Sequence, residues 1–223
     1  QHIYVDAIIQ KSRKTDESAA FTSMVDCSEA KNVLLLADRG YEAYNNLAHI
    51  QEKGWSFLIR IKDSSAGIAS GLNLPRSNTF DIPFHLKLTN KQTNEVKCLL
   101  LDKNRYKRIP SKCRFDYLPA KSRKADPTQF FDLHFRIVRF PISETACETI
   151  ITNLDKDAFP IQEIKDTPHN CAKTSRVIFG DPKFREKAQF KRTVCTRNKP
   201  RYATFIRLRA RYKFASANSV QQC

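Results

Sequence analysis

Apolar positions recur with two different periods along this chain, and the change of period marks its organisation. Residues 2–9, HIYVDAII, are rich in β-branched and aromatic side chains and predict a strand, closed by the polar turn Lys11-Ser12-Arg13-Lys14. Thr15 and Asp16 are capping residue types and predict a helix over about residues 16–27. Lys31 to Ala37 is a short continuous apolar run, as expected of a central strand covered on both faces, and it stops at Asp38-Arg39-Gly40, where the glycine permits a turn. Tyr44, Leu47, Ala48 and Gln51 then fall at helical spacing, the helix ends at Lys53-Gly54, and Trp55 to Ile61 predicts another strand. This order implies a sheet with helices packed on it.

Beyond Asp63 the period changes from helical to alternating. Ser64 to Asn73, with Gly67 and Gly71, predicts a loop. Phe80, Ile82, Phe84, Leu86 and Leu88 alternate with polar residues and with Pro83, which predicts a half-buried strand at an edge or with a bulge. Phe131, Leu133, Phe135 and Ile137 alternate in the same way, and Glu148 to Thr152 predicts a further strand. Residues of about 64–152 therefore look like an antiparallel insertion in an α/β domain. No internal repeat is visible.

Charge changes the picture in the last third. The 223 residues carry a formal charge of +16, which suits a polyanionic partner, with nucleic acid ahead of an anionic membrane. Residues 166–223 hold 14 Lys and Arg against 3 Asp and Glu, so most of that charge sits there. Periodicity is not sustained in this segment, although Phe205 to Phe214 partly alternates, and it reads as a basic arm or as sequence that does not fold. No apolar run approaches the ~20 residues that span a bilayer, which predicts a soluble protein with no membrane partner. The seven cysteines are scattered without a C-x-x-C pair, which disfavours a disulfide framework and a zinc site and predicts reduced thiols in a cytosol. The five histidines lack metal-ligand spacing, and surface positions are expected for them. Trp55 is expected in the core.

The candidate chemistry centres on Asp38. A carboxylate at the end of a buried strand is rigidly held where phosphate can approach, and two-metal phosphoryl chemistry gathers several such groups around Mg²⁺. By local pattern alone, a residue like Asp38 more often caps a helix or pairs with a neighbour such as Arg39. Arg60 and Lys62 close the strand that follows and face either phosphate or solvent. Arg105, Lys107, Arg108, Lys121, Arg123 and Lys124 follow either a DNA backbone or plain solvent.

Residues 31–63, KNVLLLADRGYEAYNNLAHIQEKGWSFLIRIKD, resemble the second-aspartate region of bacterial insertion-sequence DDE transposases of the IS-four type. The likeness extends through HIYVDAIIQ, the Phe80 strand, F-D-Y-L-P at 115–119 and I-I-T-N-L-D-K-D-A-F-P-I-Q-E-I-K at 150–165. It implies a ribonuclease H-like α/β fold, a mixed sheet with helices interrupted by an antiparallel β-rich insertion. On that resemblance, 1–63 is part of the catalytic core, 64–152 the insertion, 153–165 the return to the core and 166–223 a basic tail. Asp38 is implied as a catalytic, metal-binding carboxylate for Mg²⁺ with Arg39, Gly40 and Tyr41 completing its motif, and Arg39, Arg60 and Lys62 are the residues expected to bind DNA.

The other two acids of the family are not matched. The first is expected on a strand upstream of HIYVDAII, and Asp6 does not replace it because its surroundings match a later strand. The third is a glutamate of a tyrosine-arginine-glutamate-lysine helix expected directly after Lys165. There the sequence reads DTPHNCAKTSRVIFGDPKFREK, Pro168 disfavours a helix, and Glu186 stands too far along. Truncation at the start and a frameshift after about residue 165 are expected, leaving an inactive fragment. The resemblance implies Mg²⁺-dependent cleavage and strand transfer of double-stranded DNA at terminal inverted repeats, a homodimer in the DNA complex, and a place in the bacterial cytoplasm at the nucleoid. The alternative is a non-catalytic basic DNA-binding protein.

Overall fold

The computed structural model describes residues 3–9, 16–62, 67–118, 129–166, 177–180 and 203–209. Its strands are β1 (Ile3–Ile9), β2 (Leu34–Ala37), β3 (Ser56–Arg60), β4 (Phe80–Thr89), β5 (Tyr106–Arg108), β6 (Phe131–Pro141), β7 (Cys147–Thr152), β8 (Val177–Gly180) and β9 (Ala203–Arg209). Its helices are α1 (Glu17–Cys27), α2 (Tyr44–Glu52), α3 (Asn94–Leu99) and α4 (Ile161–Asp166). The strands form one sheet in the order β1-β9-β8-β2-β3-β7-β6-β4-β5.

The mixed α/β sheet agrees with the ribonuclease H-like expectation. β2 and β3 run parallel, with Leu35 beside Phe57 and Ala37 beside Ile59. β7 adds antiparallel to β3, β6 to β7 and β4 to β6, so the strands of residues 64–152 extend the same sheet that carries Asp38. Pro83 costs no ladder hydrogen bond there, because β5 pairs only with Lys87 to Thr89 and Pro83 has a strand on one side only among the described residues. α3 and β5 are additions that the sequence pattern did not announce. The basic segment beyond residue 166 supplies β8, antiparallel to β2, and β9, parallel to β8 and antiparallel to β1.

Alternation along the strands builds a core on each face. Leu35, Ala37, Phe57, Ile59 and Ile151 face one way, into a cluster with Phe21, Met24 and Val25 of α1 and Leu47 and Ile50 of α2. Leu58, Val138 and Ile150 face the other way, against Ile164 of α4, with Leu34 and Leu36 half-buried beside them. Burying each large side chain of this kind contributes about 1.5–3 kcal/mol, so β2 and β3, covered on both faces, are firm supports for what stands at their ends. α1 begins where expected, with Asp16 accepting from the Ala19 backbone at 2.9 Å. α2 ends at Lys53, and Gly54 takes the left-handed conformation, φ 70°, that releases the chain into β3.

The Thr152-Asn153-Leu154 run shows why those residue types close β7. Asn153 imitates one more residue of ladder against β3, accepting from Phe57 N at 2.8 Å and donating to Trp55 O at 2.9 Å. Trp55 itself is buried, as expected, and its indole N–H donates to Ala30 O at 3.0 Å.

Candidate functional site

β2 ends at Ala37, and the chain enters a single 3₁₀ turn, Arg39–Tyr41, with Asp38 as its cap. The Asp38 carboxylate accepts from the Arg39 backbone N–H at 2.7 Å. Its ion-pair partner is Arg60, with Nη1 at 3.6 Å, rather than the neighbouring Arg39, whose side chain is exposed. Asp38 and Arg60 thus meet at the carboxyl ends of adjacent parallel strands, the place where α/β sheets commonly receive ligands.

The rest of the A-D-R-G-Y-E run holds this turn in place. Tyr41 is buried and its hydroxyl donates to Glu17 Oε1 at 2.6 Å, tying the turn to α1. Burial, and then the hydrogen bond with Glu17, push the Tyr41 phenol well above its ordinary pKa. Glu42 accepts from the Lys62 backbone N–H at 2.8 Å, which ties the turn to the end of β3. Burial raises the Glu42 pKa, while that hydrogen bond and the Lys62 charge act against it. Gly67 packs over this carboxylate, where a Cβ would come within 3.2 Å of Glu42 Oε2 and of the Lys62 carbonyl.

Gly40 departs from expectation. Its φ is not in the left-handed region, and a Cβ added there meets nothing within 4 Å. The turn does not require a glycine; its absence of side chain leaves the surface beside Asp38 open.

Arg60 makes a second ion pair through Nε to Glu148 of β7, a residue that sequence reasoning missed. The Glu148 side chain is 4% exposed, against 15% for Arg60 and 26% for Asp38. Lys62 lies nearby at the strand end with its side chain 57% exposed and its amino group 3.9 Å from Glu42. The structure therefore joins Asp38 and Arg60 directly, places Lys62 beside them through Glu42, and leaves the Arg39 side chain on the surface.

A second polar cluster corrects the expectation that His49 is a surface histidine. His49 is 5% exposed; Nδ1 lies 2.7 Å from Asp26 and Nε2 3.0 Å from Asp116. Asp116 also receives Asn45 Nδ2 at 2.9 Å and Arg114 Nε at 2.9 Å, and the Tyr117 hydroxyl is 3.2 Å from His49 Nδ1. Burial pushes the Asp116 carboxyl up, but hydrogen bonds from Arg114, Asn45 and His49 outweigh it and hold its pKa at about 2. Asp116 and Tyr117 thus fasten their loop to α2, and His49 in turn reaches α1 through Asp26. His85 and His134 are exposed, as expected, and stack across β4 and β6 with ring centres 3.9 Å apart. Lys121, Arg123 and Lys124 lie outside the described residues, as do His2, His169 and Glu186.

A family model described as the transposase DDE domain matches residues 1–167. The chain belongs to that family. No curated protein and no solved structure gives a significant match. The matched span ends one residue after α4, so the domain takes in β1 to β7 and leaves β8 and β9 outside it. None of the helices described in this transposase domain is long and apolar enough to cross a membrane.

The family generally uses a divalent metal, and the described residues do not fit a complete site for one. No group of three or more His, Cys, Asp or Glu among them is placed to hold an ion. Asp38 is a single carboxylate already facing an arginine, and Glu148 stands behind that arginine. A pair of hard cations needs several oxygen ligands converging from different elements, which the described residues at this end of the sheet do not supply.

Proposed function

We propose that this transposase-family chain serves the movement of an insertion sequence by binding duplex DNA at the Asp38 end of the sheet, and that the chain as it stands does not cut it. The observation that carries this reading is the pairing of Asp38 with Arg60 at the ends of two parallel strands inside a matched transposase domain. Arg39, Arg60 and Lys62 are the residues assigned to phosphate, and Asp38 is the carboxylate assigned to Mg²⁺ once other ligands join it. Terminal inverted repeats are the proposed target, with a homodimer as the DNA-bound form. The full chain, incubated with such duplexes and Mg²⁺, is expected to retain them on a gel without cleaving them. Robust strand transfer sinks the reading of an incomplete site, and failure to retain any duplex sinks the DNA reading.

A non-catalytic basic DNA-binding protein is the second reading, favoured by the excess of 14 cationic over 3 acidic residues beyond position 165. Deleting that segment is a poor test, because it also removes β8 from the edge of β2. Replacing the lysines and arginines between residues 181 and 202 with glutamine leaves both strands in sequence. If that change abolishes duplex binding while Asp38→Asn and Arg60→Gln leave it unaltered, the second reading stands in place of the first.

A further inference from the structure

Glu148 is a buried carboxylate with an unusual neighbour, an arginine whose other partner lies at the surface. β3 and β7 are antiparallel with Arg60 opposite Ile150, so Glu148, two residues before Ile150, lies diagonally across from Arg60 on the same face of the sheet. Long side chains reach one another across that diagonal. The result is a row of three groups running outward: Glu148 with 4% of its side chain exposed, Arg60 with 15% and Asp38 with 26%. An arginine side chain at a strand end otherwise samples many rotamers. The ion pair with Glu148 at Nε, the guanidinium nitrogen nearest the backbone, holds the inner edge of the group. The terminal nitrogens, which carry four of the five N–H donors, are then delivered to the Asp38 end.

We propose that Glu148 is a positioning residue, holding the Arg60 guanidinium beside Asp38 so that its terminal nitrogens take a phosphate of bound DNA. This rests on the DNA-binding reading above. Two effects of Glu148 on a polyanion oppose each other in sign. As a negative charge near the site it repels phosphate, so electrostatics alone has Glu148→Gln tighten DNA binding. As the anchor of Arg60 it preorganises a donor, so its loss weakens binding even though a repulsive charge has gone.

The test is duplex binding by the full chain, followed by fluorescence anisotropy over a salt series, for wild type, Arg60→Gln, Glu148→Gln and the double variant. Arg60→Gln is expected to weaken binding about threefold to tenfold and to reduce the slope of log affinity against log salt by about one. Glu148→Gln is expected to weaken binding by a similar factor. The double variant is expected to bind no worse than Arg60→Gln alone, since Glu148 acts through Arg60. Tighter or unchanged binding by Glu148→Gln overturns the proposal, as does a loss that simply multiplies in the double variant. If Glu148→Gln does not fold, the ¹⁵Nε signal of Arg60 in the wild-type chain, assigned with Arg60→Lys, decides instead. Movement of that signal on adding duplex supports the proposal, and a signal that stays put overturns it. Wild type that binds no duplex overturns the DNA reading itself, whereas wild type that binds as tightly as Arg60→Gln overturns only the present proposal.

Discussion

Arg60 and His49 each stand between two carboxylates, yet their surroundings differ in one respect that separates a site from a clamp. Around His49, Asp116 receives Asn45, Arg114 and His49 together, Tyr117 closes over the ring, and His49 is 5% exposed. Around Arg60, exposure rises outward: Glu148 is buried, whereas Asp38, partly exposed, has one short hydrogen bond, from the Arg39 backbone, and a 3.6 Å ion pair. A saturated cluster has no capacity left for a ligand and contributes to stability. A cluster buried only at its inner end keeps acceptors and donors at the outer end for something arriving from outside.

The largest expected effect of breaking this contrast is at His49. His49→Ala strips partners from Asp26 and Asp116 at once, and a loss of about 2–4 kcal/mol is expected for a buried polar network cut in this way. Chemical denaturation of the two proteins measures it; a loss under about 1 kcal/mol removes the distinction between clamp and site.

Acid should act on the clamp next. Asp116 titrates at about 2 in the folded chain against an ordinary value of 3.8, so its folded pKa is depressed. The stability it contributes is therefore fully present above about pH 4 and is lost as pH falls towards 2. Thermal melts of wild type and Asp116→Asn between pH 6 and pH 2 should converge at the acid end. Curves that stay parallel throughout contradict the assignment.

The smallest effect belongs to Asp38. Asp38→Asn keeps an acceptor for the Arg39 N–H and gives up only a partly exposed ion pair, so a stability change within about 1 kcal/mol is expected. In the absence of divalent cations the same change should strengthen duplex binding, because it removes a negative charge beside Arg60. A large loss of stability instead places Asp38 with the clamp.

These clusters were unequally legible in the sequence. The strand, the Asp38 turn, α2 and β3 follow one another within a few residues, and each announces itself through local periodicity or capping chemistry. Asp38 and Arg60 were therefore both candidates, and the parallel pairing of β2 and β3 joined them. His49 was misjudged because its burial depends on Asp116 and Tyr117, in a loop far along the chain. Glu148 gave no signal at all: an acid in a strand reads as a polar face until β7 is laid against β3. β5 and α3, three and six residues long, are too short for any period to show. β8 and β9 were obscured by the basic character of their segment, which masks alternation.

Local patterning was enough to establish the strand-helix-strand unit that ends in Asp38, and the residues of the A-D-R-G-Y block with their neighbours were enough to establish the family. Periodicity and capping act over a turn or two, so they are written into consecutive residues. Which carboxylate is sealed and which stays open was decided by the fold. That depends on the register of β7 against β3 and on the loop that covers α2, contacts between segments whose order in the chain says nothing about their distance in space.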